Sequence, residues 1–176
     1  VESSNTSSIE NPKKEYWTTL GEFIEAFSLI EYHIFTELCQ LLAISIENGR
    51  SIFGKTRTLQ IVDHITSYYS NSETGIPPRT KLAMDQIKVI ARIRNDLVHW
   101  AATHNQDGIL TIRDFKDPKP RRHQVSPAIL RNAIEDMGRI HDLIRGSTSQ
   151  SALLPGQPDP ELQVPWRCKP LPPAKL

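Results

Sequence analysis

The sequence is poor in the features that announce many protein classes. It holds two cysteines, Cys39 and Cys168, in 176 residues. They stand far apart with no paired spacing, so neither a disulfide framework nor a zinc motif is legible, and a reducing compartment is the default. No run of about 18 apolar residues occurs, which argues against a membrane span. Net charge is only +1. A chain that met nucleic acid through its bulk field would be far more basic, so any such contact has to come from a local patch. There is no phosphate-cradling glycine loop, no His-Glu-x-x-His helix and no Gly-x-Ser-x-Gly elbow. No metal and no cofactor is therefore expected. The first residues, Val1 to Asn11, are polar and show no signal-peptide pattern, so the expected location is the cytoplasm.

What is present is helical periodicity. At 38% apolar and 23% charged residues, the chain can bury one ordinary core. Residues 1–12 read as a flexible start and 13–146 as one helical domain. Leu20, Phe23, Ile24, Phe27, Ile30, Ile34, Leu38 and Leu41 recur at three- and four-residue steps, which predicts a helix over about 13–46. Glu22, Glu25 and Glu37 fall outside that stripe, where water is expected; Glu31 lies nearer its edge. Asn48-Gly49 is the expected stop. A second helix is expected over about 55–71, with Leu59, Val62, Ile65 and Tyr69 as its face. The third starts near Pro78 or Arg79 and carries Leu82, Ile87, Ile90, Ile93 and Leu97; it is expected to end near His104 or Asn105. After the Asp107-Gly108 turn, strand formers at Ile109 to Ile112 and again at Arg121 to Val125 predict a short hairpin. Ser126-Pro127 then caps a fourth helix that reaches Gly146. Seven of the thirteen prolines fall in the last thirty residues. Residues 147–176 thus read as a Pro-rich extended tail, lying along the domain or along a partner, with Trp166 as its large anchor. Four amphipathic helices bury their stripes most simply as an antiparallel four-helix bundle, so the expected class is all-α with one hairpin.

The chemistry concentrates late in the third helix, in Ile93-Arg94-Asn95-Asp96-Leu97-Val98-His99-Trp100. Arg94 and His99 are five apart, about 140° around an ideal helix, and do not share a stripe. Asn95 and His99 do, being i and i+4, so Asn95 can orient the His99 ring. Arg94 reaches the same place through its long arm, or meets a His99 from a second copy about a twofold axis. The bland reading is a helix end with a capping base and a satisfied histidine.

Arg94-Asn95-x-x-x-His99 resembles the Arg-x4–6-His signature of HEPN domains, in which a polar residue often follows the arginine. Gly21-x-Phe23-Ile24-x-x-Phe27-Ser28-x-Ile30-Glu31 is similar to the first-helix pattern of bacterial HEPN-like proteins, and the resemblance covers roughly residues 15–146. It implies a metal-independent endoribonuclease working as a homodimer, with the two motifs facing each other across a cleft. It also implies a toxin or defence effector, sometimes paired with an antitoxin, for which the tail offers a contact. The residue types suit that chemistry. Histidine moves protons near neutral pH, and arginine forks onto phosphate oxygens. His99 is assigned proton transfer, Arg94 the phosphate and its transition-state charge, and Asn95 the orientation of the ring or a phosphate contact. The 2′-hydroxyl of RNA would attack the adjacent phosphodiester, so DNA should resist. The alternative is a non-catalytic HEPN-like module that binds a protein partner or a nucleotide; a weaker one is a purely structural dimerisation domain.

Four further features each admit a functional role and a plainer one. Trp100 can stack a base or sit in the core. Glu31 can hold Arg94 or His99, or be a solvated carboxylate. Arg113, Lys116, Lys119, Arg121 and Arg122 outnumber Asp114 and Asp117 and can track an RNA backbone, or simply solvate a hairpin; Arg113, Lys116, Arg121 and Arg122 are the candidates. His33, His64 and His141 lie on separate helices with no ligand spacing, and His104 at most lines a rim.

Overall fold

Among the described residues, five helices and three short strands succeed one another: α1 Pro12–Leu41, α2 Ile46–Phe53, α3 Thr58–Ser70, α4 Pro78–His99, β1 Ala101–His104, β2 Leu110–Arg113, β3 Arg122–Val125 and α5 Pro127–Thr148. A 3-10 turn, Pro160–Leu162, follows. The computed structural model describes residues 12–99, 101–104, 110–113, 122–148 and 159–171, and the side chains of 12, 99–124 and 146–148 lie outside that description. The protein is mostly helical. No single helix among the described residues is long and apolar enough to cross a membrane.

The long helices form because their apolar stripes meet. Phe23, Phe27, Ile30, Ile34 and Leu38 of α1 are buried with Val62 and Ile65 of α3, Met84, Ile87, Ile90 and Ile93 of α4, and Leu130, Met137 and Ile140 of α5. Each such side chain contributes about 1.5–3 kcal/mol relative to exposure. α1 packs along α5 and α3, and α4 packs along the same two helices. Ser126 caps α5 as its spacing predicts, accepting from the Ile129 N–H at 3.4 Å.

The first helix does not run to residue 46. It ends at Leu41 in a Schellman closure: Ile44 N–H donates to Cys39 O and Ala43 N–H to Gln40 O, each at 3.0 Å. Ala43 takes the left-handed conformation this requires, at φ 51°. Ser45 then caps α2, accepting from Asn48 N–H at 3.2 Å, and α2 turns away from α1 by 108°. Gly49, the expected stop, lies inside α2 instead. A Cβ there would stand 2.3 Å from Cys39 Sγ, so glycine lets the two helices touch. Glu37, expected in water, is 6% exposed, because α3, whose Tyr69 is near enough to feel the Glu37 charge, packs on that side of α1.

The third long helix also stops early. α4 ends at His99 rather than near His104 or Asn105, and Ala101–His104 becomes strand β1. β1 pairs antiparallel with β2, and β2 with β3. Pairing with β2 gives those backbone groups partners that a lone helix end lacks. Val125, closing β3, is fully buried.

Of the two courses open to the proline-rich end, along the domain or along a partner, residues 159–171 take the first. Residues 159–171 lie on α4 and α5: Arg79 binds Asp159, Arg139 stands 4.2 Å from the Trp166 ring, and Cys168 is buried. Proline composition reads as extended, and here an extended segment supplies a row of backbone groups to the helices beside it.

Candidate functional site

The last turns of α4 bring Arg94 and Asn95 together. Both are half-buried. Arg94 Nη1 donates to Asn95 Oδ1 at 3.3 Å. Its guanidinium carbon lies 5.8 Å from the centroid of Phe27, within the range of a cation–π contact. Phe27 is a core residue of α1, so the apolar stripe of one helix fixes the arginine of another. A guanidinium carries five N–H donors, and the contact to Asn95 uses one of them. The arm of Arg94 is thereby oriented.

His99 is the final residue of α4, one helical turn past Asn95. Residues at i and i+4 have Cβ atoms about 5–6 Å apart on one side of a helix. The backbone thus keeps His99 beside the Arg94–Asn95 pair, while its ring lies outside the description. Two residues further, Ala101 is the cross-strand partner of Arg113, and Arg113 is the partner of Arg122. The row Ala101, Arg113, Arg122 begins where α4 ends. Neighbouring strands lie about 4.8 Å apart, so the backbones of Arg113 and Arg122 lie one and two strand spacings from Ala101. Lys116, Arg121 and Trp100 lie outside the described residues.

Glu31 engages another group than the two expected. Its Oε1 accepts a hydrogen bond from the Thr58 hydroxyl. Thr58 is the first residue of α3, so this carboxylate ties the start of α3 to α1, one turn along α1 from the ring that carries Arg94.

The histidines hold a pairing that spacing does not reveal. His33 of α1 and His141 of α5 face each other with ring centroids 4.5 Å apart. Burial, then His141, then Arg145, hold His33 below its usual pKa. The two residues are 108 apart in sequence, and only the α1–α5 seam joins them. Sequence offers no sign of it beyond both lying near the edge of an apolar stripe. A shallow depression of about 200 Å³ between α1 and α5 is lined by Lys14, Glu15, Thr18, Thr19, Glu22 and Arg131; none of the motif residues lines it. Among the described residues no three His, Cys, Asp or Glu side chains converge as a metal-ligand group.

Compared with protein-family models, curated proteins and solved structures, the chain matches none of them.

Proposed function

We propose that the protein is a HEPN-like, metal-independent endoribonuclease. The observation that carries this reading is the Arg94–Asn95 pair, oriented on Phe27 at the end of α4 with His99 one turn beyond. In this reading α1, α3, α4 and α5 are the antiparallel four-helix bundle of that family, and β2 with β3 is its inserted hairpin. His99 moves the proton of the RNA 2′-hydroxyl or of the leaving 5′-oxygen. Arg94 binds the phosphate and the charge that grows on it. Asn95, bonded to Arg94, positions that guanidinium. Arg113 and Arg122, next to the motif in the sheet register, hold the flanking RNA backbone together with Lys116 and Arg121. Two copies bring two motifs to one cleft, and the cell uses the activity in the cytoplasm as a toxin or defence effector.

The test is an RNA digest in EDTA. Wild type cleaves single-stranded RNA to products ending in 2′,3′-cyclic phosphate and 5′-hydroxyl, and leaves DNA intact. His99→Ala and Arg94→Ala each lower the rate by about 10²-fold or more. RNA left whole by wild type and variants alike overturns the catalytic reading and returns the motif to a binding role.

A further inference from the structure

Residues 159–171 are held by polar anchors on the helices together with three apolar side chains, Trp166, Cys168 and Leu171, that pack against the core. At the start, Asp159 meets the Arg79 guanidinium through Nε and, at 2.9 Å, through Nη2. The Arg79 hydrogen bonds hold the Asp159 carboxyl below its usual pKa. In the middle, Arg139 donates to Val164 O at 2.8 Å and to Glu161 O, and its face covers Trp166 at 4.2 Å. At the end, Asp136 accepts from the backbone N–H of Arg167 at 3.1 Å and of Cys168 at 2.7 Å. Gln86 donates to Cys168 O and to Asp136, both at 2.9 Å. Asp136 and Gln86 are 3% and 4% exposed. Leu162 and Val164, in contrast, remain 38% and 48% exposed.

Four side chains on α4 and α5 therefore read this segment largely through its backbone N–H and carbonyl groups. Extended peptides are recognised in this way, with main-chain hydrogen bonds supplying affinity and a few side chains supplying specificity. A short segment outside the long helices, joined to them by a few polar anchors and three apolar side chains, also belongs to the part of a protein that opens locally.

We propose that the α4–α5 face is a peptide-docking surface and that residues 159–171 are its resident, a strap that leaves and returns without unfolding the long helices. The recognised chemistry is an acidic residue, an aromatic seven positions later and a small apolar residue two beyond that, as in Asp159, Trp166 and Cys168. This inference stands apart from the nuclease reading, since none of its anchors belongs to the Arg94–His99 motif.

The full-length chain tests it. While docked, the Cys168 thiol is buried and its pKa is pushed up to about 11, so it reacts with a disulfide reagent only when the strap is off. Cys168, identified by peptide mass, should label at least ~10-fold faster than the chain unfolds globally. Asp159→Asn combined with Trp166→Ala changes only the strap, so the helices keep their far-UV dichroism and labelling accelerates. A fluorescent 159–171 peptide should then bind that variant more tightly than wild type, whose own strap competes. Labelling of Cys168 no faster than global unfolding, or no peptide binding to the weakened-strap variant, each overturns the proposal.

Discussion

Asp136 accepts hydrogen bonds from Gln86, Arg167 and Cys168 while almost wholly buried. Removing such an acceptor deprives several donors at once, so Asp136→Ala should cost about 1–3 kcal/mol, read as a lower urea midpoint. An unchanged midpoint would mean that water replaces the carboxylate without loss. At the same scale, the seam between α1 and α5 carries a proton-sensitive contact. His33 faces His141 and Arg145 of α5, with Tyr32 beside it on α1 and Asp142 accepting at 3.3 Å from His141 Nδ1. Its pKa is lowered in the fold from the usual 6.5, so the unfolded chain binds that proton more tightly. Its stabilising neutral state is complete above that usual value, and stability falls as pH drops through it toward the folded value. The melting temperature of wild type should fall more between about pH 7.5 and about pH 5 than that of His33→Gln. Equal slopes would remove His33 from the account.

Among elements, the break after α1 is the most informative. Ala43 occupies the left-handed position that closes the helix, where a Cβ costs roughly 1–2 kcal/mol. Ala43→Gly should therefore stabilise the protein by about 0.5–1 kcal/mol despite the added freedom of glycine in the unfolded chain. Chemical denaturation decides it, and destabilisation would show that the Ala43 methyl matters more than its φ. The break has a consequence for packing. It lets α2 fold back with Gly49 against Cys39 and Phe35, while on the other side of α1 Glu37 is buried near Tyr69 of α3. Burial raises the pKa of that carboxyl.

For the molecule as a whole, the proposed chemistry requires two copies. Light scattering at micromolar concentration should read twice the 20.0 kDa chain mass; a monomer there would count against a shared cleft. The motif offers a reason. Arg94 and Asn95 are bound to each other within one chain at the end of α4, where a twofold axis would bring a second copy of the motif to face the first.

The helical class, the extent of the long apolar stripes, the Ser126 cap and the clustering of Arg94, Asn95 and His99 at the end of one helix were determined by the sequence alone. Each is a local matter of period, cap or spacing, which needs no knowledge of distant residues. Tertiary structure decided the rest. It ended α1 at Leu41 rather than near residue 46, because closing the helix there lets α2 pack back on it. It ended α4 at His99, because residues 101–104 pair with β2. It gave Glu31 to Thr58, set Arg94 on Phe27, joined His33 to His141 and laid a proline-rich segment on Asp136. All of these are contacts between residues far apart in the chain, and a linear pattern carries no distance between two stripes until they have packed.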